Sequence, residues 1–256
     1  MGTLILLSVV ALLASCLQEK LIFLPEKLPQ DYTFRFKRHF TEYSIPVDRK
    51  HRLNGLLFEA DSSKGLVFYL HGNAGSNRTW ADISDVYLNN GYDFFVLDYR
   101  GYGKSEGKIR SEKQFHSDIQ IAYDLLKQKY RENNIVVVGF SIGTGPAAYL
   151  ASQNRPKLLI LNAPYYSIPD LAKKYFRIFP RFLLRYKFRT DQYIGNVQCP
   201  VTIFHGDADE IIPLSSSLKL KQLFKEHDSL IILKNQMHNG IEWNNDYRRE
   251  LKNILR

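Results

Sequence analysis

The sequence predicts an α/β fold: a mainly parallel, doubly wound sheet with antiparallel N-terminal strands and a short helical cap. Three observations predict it. Six short apolar runs recur along the chain, at 65–71, 93–99, 134–140, 157–164, 200–206 and 229–235. Helical spacing fills most of the intervals between them. The runs are apolar almost throughout rather than alternating, as strands covered on both faces of a parallel sheet are.

The chain begins with an apolar run, Leu4 to Leu17. It is shorter than the roughly 20 residues a membrane-spanning helix needs and suits the core of a signal peptide. It ends in Leu13-Ala14-Ser15-Cys16, which resembles the lipobox that marks a cysteine for lipidation. Against that, no Lys or Arg precedes the run. Lys20, Lys27 and Arg35 follow it instead, an arrangement that holds a domain on the cytoplasmic side. The second reading is an uncleaved anchor helix running to about Leu24. Both readings attach the protein to a membrane, and the cell envelope is placed ahead of the cytoplasmic face. Residues 1–24 are therefore expected to be a signal or anchor segment, and 25–256 the folded domain.

Segments around 33–45 and 53–60 are rich in β-formers and predict an antiparallel opening hairpin. Helical patterns follow at about 78–90, 111–131, 141–153, 213–225 and 241–255. One connection is too long for a simple joint: an insertion at about 165–197 carries helical spacing in Leu171, Tyr175 and Ile178, then Phe182, Leu183 and Tyr186. Pro180 divides it into two short helices. Placed over the carboxyl ends of the strands, it would cap a site. Residues 166–196 hold seven Lys or Arg, two Asp or Glu and eight aromatic residues. Two readings fit that composition: a basic, aromatic face resting on an anionic bilayer, or an amphipathic lid with its charges in water.

Bulk composition permits this architecture. A chain of 256 residues, 45% hydrophobic and 24% charged, buries a large core without disulfides. Cys16 and Cys199 make no disulfide framework. The net charge of +9 specifies no partner by itself, and no nucleic-acid motif accompanies it. Nucleic acid is therefore not expected as a partner.

Parallel sheets place ligands beyond the carboxyl ends of their strands, and the chemical motifs fall there. Gly139-Phe140-Ser141-Ile142-Gly143 fits G-x-S-x-G between a strand and a helix. In that context the serine sits on a tight turn that lifts its hydroxyl clear of the sheet. The amide of Ile142 then aims at a substrate oxygen. A serine needs a base. Of seven histidines, only His238 lies both late enough in the chain and after the last strand. The acid should follow the strand PVTIFHG, where Asp207, Asp209 and Glu210 are available, and position alone does not choose among them. The small-residue run His71-Gly72-Asn73-Ala74-Gly75 suits the second oxyanion donor, with the Asn73 amide expected and Ala74 the alternative. His71 reads as structural. In DYRGYGKSEG (98–107), Asp98 and Arg100 suggest internal pairing within a scaffold loop.

Together HGNAG (71–75), DYRGYGKSEG (98–107), GFSIGTG (139–145), HGDADEIIP (205–213) and MHNG (237–240) resemble the α/β-hydrolase superfamily. The similar branch is the serine aminopeptidase-like and monoacylglycerol-lipase-like group, which includes membrane-bound protein depalmitoylases. QEKLIFLPEKLP (18–29) resembles the segment after the anchor in bacterial members. The resemblance implies the α/β-hydrolase fold. In its H-G-x-x-D pattern the acid is the fifth residue, which is Asp209 here. It also implies a triad of Ser141, His238 and Asp209 that cleaves an ester or thioester through an acyl-enzyme. That chemistry takes a small-molecule acyl substrate, lipids included, and needs no metal or organic cofactor. Two other classes remain: a peptidase of the serine aminopeptidase type, and a non-catalytic binding protein on the same fold. The latter usually lacks one of the three side chains.

Overall fold

The computed structural model describes residues 18–175 and 184–256. The leader run, Cys16, and Ile178, Pro180, Phe182 and Leu183 of the insertion lie outside the described residues. In chain order the strands are β1 (Leu24–Pro25), β2 (Phe40–Pro46), β3 (Arg52–Phe58), β4 (Leu66–Leu70), β5 (Ala74–Gly75), β6 (Asp93–Leu97), β7 (Ile135–Phe140), β8 (Leu158–Asn162), β9 (Val201–Gly206) and β10 (Ser229–Leu233). The helices are α1 (Asn77–Trp80), α2 (Ser84–Leu88), α3 (Glu112–Lys127), α4 (Thr144–Gln153), α5 (Ile168–Tyr175), α6 (Thr190–Ile194), α7 (Ser215–Lys221) and α8 (Asn245–Ile254). No helix among the described residues is long and apolar enough to cross a membrane.

Eight strands form one sheet in the order β10-β9-β8-β7-β4-β6-β3-β2. β2 and β3 pair antiparallel, β3 joins β6 antiparallel, and the remaining pairs are parallel. After β4 the chain crosses to β6 on one side, then returns to place β7 on the other. The order therefore reverses at β4, and a crevice opens beyond the carboxyl ends of β4 and β7. Register places Leu70 beside Gly139 there.

Both faces of the sheet are buried along its inner strands, β4 and β6 to β9, and the two-residue period of the strands divides them. Leu66, Phe68 and Leu70 of β4 pack with Val137, Tyr123 and Ala147 on the face of α3 and α4. Val67 and Tyr69 pack with Val136, Val138, Tyr87 and Tyr247 on the face of α2 and α8. Such two-sided burial leaves no polar face, which is why the strand runs read as continuously apolar. Cys199 is buried and free, and burial pushes its thiol up to about 11.

Several element boundaries differ from expectation. The opening strand begins at Phe40; residues 33–39 are irregular and instead stack Phe34 on Phe36, which meets Phe58 edge to face. The helix expected at 78–90 is split into α1, a 3-10 turn (Ala81–Ile83) and α2. The last helix is broken: Ile241–Trp243 is a 3-10 turn, and Asn244 caps α8 by accepting from the amides of Asp246 and Tyr247. In the insertion, the second helix expected around Tyr186 is absent from 184–189. α6 forms later, at Thr190. Arg100 does not pair with Asp98. Its guanidinium donates to Asp118 at 2.6 and 2.9 Å and to Asp48 at 2.8 Å. Asp98 instead accepts from the Asn77 amide at 2.8 Å.

Candidate active site

β7 delivers Ser141 into a turn with φ of +52°, a left-handed conformation that a side-chain-bearing residue adopts only when its surroundings enforce it. The glycines flanking it enforce the turn by admitting backbone at close range. A Cβ on Gly139 would lie 2.6 Å from the Gly143 carbonyl, and one on Gly143 would lie 2.1 Å from that of Leu70. Tyr165, just past β8, ties the same turn down. Its hydroxyl donates to the Ile142 carbonyl at 3.0 Å and accepts from the Gly145 amide at 3.1 Å.

The structure brings Ser141, His238 and Asp209 into one line. His238 Nε2 lies 2.9 Å from Ser141 Oγ, and Nδ1 lies 2.8 Å from Asp209 Oδ2. An ionised carboxylate only accepts, so Nδ1 carries the proton and Nε2 is left to accept from the serine hydroxyl. Burial raises the Asp209 carboxyl. Hydrogen bonds from His205 and His238, the charge of His238 and the Ile212 amide override burial and hold it well below the usual carboxylate range. Its Oδ1 accepts from the amides of Ile211 and Ile212 at 2.9 and 2.8 Å. Asp207 is turned elsewhere and accepts from the Asn235 amide at 2.6 Å. Glu210 meets His238 only at its backbone amide, 3.3 Å away.

Besides Tyr165, two supporting groups escape a reading of the sequence. His205 is fully buried; its Nε2 faces the Ile212 carbonyl at 2.9 Å and Asp209 Oδ2 at 3.4 Å, so it braces the acid from behind. The signal was the histidine of HGDADEIIP, which reads as no more than a strand end. Glu242 is buried beneath the His238 loop and accepts from Tyr69 Oη at 2.7 Å and from Asn162 Nδ2 at 3.3 Å. It joins that loop to β4 and β8. Burial keeps its carboxyl above the usual range.

Asn73 and Ile142 both line the cavity over Ser141, as does Ala74. His71 is wholly buried beneath this loop. Its Nδ1 donates to the Gly72 carbonyl at 2.7 Å, and burial draws it down to about 4, so it is neutral at physiological pH. The cavity has a volume of about 600 Å³. Ile168, Leu171, Ala172 and Tyr175 of α5 wall one side, with Ile211 and Ile212 beyond the acid. Its walls are predominantly apolar, and no Asp, Glu, Lys or Arg lines it among the described residues.

The sheet order, the serine turn and the Ser–His–Asp line are those of the α/β-hydrolase class. Residues 61–194 match the family described as serine aminopeptidase, S33, and the chain belongs to that family. Among curated relatives, lysophosphatidylserine lipase ABHD12 of Danio rerio is 31% identical over 66% of this chain and 50% of its own length. Alpha/beta hydrolase domain-containing protein 17B of Xenopus laevis is 29% identical over 91% of this chain and 81% of its own. The chain thus spans half the length of the lipase it matches. Among solved structures, an esterase of Pyrococcus furiosus superposes with a TM-score of 0.69 at 20% identity, covering 90% of this chain and 98% of that one. Est1E of Butyrivibrio proteoclasticus with ferulic acid bound gives 0.66 at 20%, covering 83% and 96%. At those identities the likeness is one of fold.

Proposed function

We propose that the protein is a serine hydrolase that cleaves an ester or thioester bearing an apolar acyl group. One observation carries this: an imidazole bridging Ser141 Oγ and Asp209 Oδ2, at the floor of an apolar cavity. His238 Nε2 takes the Ser141 proton as Oγ attacks the acyl carbonyl. Asp209 holds the tautomer and stabilises the imidazolium. The amides of Asn73 and Ile142 receive the oxyanion, each contributing about 3–4 kcal/mol to transition-state stabilisation. His238 then protonates the leaving oxygen or sulfur, giving the acyl-enzyme. Water, deprotonated by His238, repeats the attack and releases the carboxylic acid.

The apolar lining favours this over peptidase chemistry. An aminopeptidase site needs a carboxylate to hold the substrate ammonium, and none lines the cavity among the described residues. The names of the lipase and esterase relatives point the same way. A panel of p-nitrophenyl esters of increasing chain length, with a thioester and an aminoacyl anilide, tests the reading. Turnover of the esters that is lost by up to about a millionfold in Ser141→Ala supports it. Cleavage of the anilide in preference to every ester contradicts it.

We also propose that the protein is membrane-associated in the cell envelope, through the apolar run 4–17 or a lipidated Cys16, as in bacterial lipoproteins. The support is the sequence of that run. Carbonate-resistant sedimentation with membranes, abolished by Cys16→Ser, is the expected result for lipidation. Sedimentation unchanged in that variant leaves the anchor helix, and recovery in the soluble fraction overturns both.

A further inference from the structure

Where the leader meets the domain, the chain is built into the site. Residues 18–22 are helical, and Leu21 and Ile22 line the cavity. Gln18 and Glu19 join this turn to the far end of the insertion. Gln18 Oε1 accepts from the Arg185 amide at 2.9 Å, and Glu19 Oε1 accepts from Tyr186 Oη at 3.1 Å. Phe23 is buried edge-on against Tyr186. The chain then enters β1, which pairs parallel with β5 in a separate two-stranded sheet. β5 is the end of the oxyanion loop, and β1 is its strand partner there.

That pairing acts on one peptide above all. The Asn73 carbonyl accepts from the Leu24 amide at 2.8 Å and from Tyr102 Oη at 2.7 Å. Both of its lone pairs are engaged, so the backbone of Asn73 cannot rotate without losing a bond. The loop around it is intrinsically loose, with Gly72 on one side and Gly75 at φ of +88° on the other. A purely structural role would be for β1 to cover a loop edge. A positioning role is distinguished by an effect on kcat that exceeds any effect on stability.

We propose that residues 18–26 are a positioning strap of the active site, in which the Leu24 amide sets the oxyanion loop through the Asn73 carbonyl and Leu21 forms part of the acyl wall. The proposal rests on the hydrolase reading above. In it, Leu24 acts through Asn73 and touches no reacting atom. Misplacing an oxyanion donor by a fraction of an ångström weakens the transition state more than the bound substrate, so the loss appears in kcat.

The test uses the full-length chain with p-nitrophenyl acetate and octanoate, with melting temperature read in parallel. Leu24→Pro removes the amide and should lower kcat on acetate by roughly 30- to 100-fold while KM stays within about twofold. Leu24→Ala keeps the amide, its side chain being half exposed, and should restore kcat to within about threefold. Tyr102→Phe removes the second donor from a buried ring without changing its shape and should lower kcat about fivefold. Leu21→Asp, at an exposed position, should raise KM for octanoate about tenfold. Wild-type kcat in Leu24→Pro overturns the strap, as does a loss in Leu24→Ala equal to that in Leu24→Pro. Should Leu24→Pro not fold, Leu21→Asp decides, and a wild-type KM for octanoate overturns the strap. A wild-type chain that cleaves neither ester fells the hydrolase reading and the strap with it; an active wild type isolates the strap.

Discussion

The carboxyl of Asp209 is ionised in a place that excludes water, and four donors make that tolerable: two ring nitrogens and two amides. Its pKa is shifted down from the ordinary value near 4. A carboxylate with a lowered folded-state pKa contributes stability above its unfolded pKa, and that contribution is lost as pH falls toward the folded value. Wild-type stability should therefore decline as pH drops below about 4, and Asp209→Asn should flatten that part of the profile. The same variant should lower kcat by about ten-thousandfold, because an amide does not hold Nδ1 protonated. Equal acid sensitivity in both proteins would contradict the ionised, fully bonded carboxylate. At this scale the sequence was informative wherever a residue belongs to a short motif: Ser141 and His238 could be placed by position along the chain. Asp209 could not, since Asp207 is two residues away and the choice depends on which carboxylate the loop turns inward. His205, Tyr165 and Glu242 support the site through contacts between residues distant in sequence, which no local pattern reports.

The turn between β7 and α4 is shaped by close backbone approach, and its glycines have measurable counterparts. Gly143→Ala would force a Cβ to 2.1 Å from the Leu70 carbonyl and 2.7 Å from that of His71. These are backbone atoms of a central strand and of the oxyanion loop, so neither side yields cheaply. Gly143→Ala should destabilise by about 1–3 kcal/mol, lowering Tm by roughly 3–10 °C. At Gly195 nothing lies within 4 Å of an added Cβ, and φ is −64°. Gly195→Ala should therefore leave Tm within about 1 °C. Equal shifts from the two would show that the turn is not tightly packed. Strands were legible because two-sided burial makes them apolar throughout. Helix ends were less so. Asn244 breaks the last helix by capping a new one, and Ala81–Ile83 interrupts the helix around residue 80, although the apolar spacing continues through both. The β-formers of residues 33–39 do not join the sheet: Phe34 stacks on Phe36, which meets Phe58 edge to face.

Across the whole molecule, the three stretches of the triad, separated by up to 97 residues, converge with the loop after β4 because the sheet order reverses at β4. β7 brings the serine to the crevice, the loop after β4 brings Asn73, and the loops after β9 and β10 bring the acid and the base. The alternation of strands and helices made this arrangement legible from the chain alone. The part played by residues 18–26 was not, because an apolar leader invites reading everything near it as a tether. The direct test of the account is labelling of the full-length protein with a fluorophosphonate probe, with the modified residue mapped by mass spectrometry. The account predicts a single adduct on Ser141 that is absent from Ser141→Ala and strongly slowed in His238→Ala. Equal labelling of wild type and Ser141→Ala, or an adduct mapped to another residue, would contradict it.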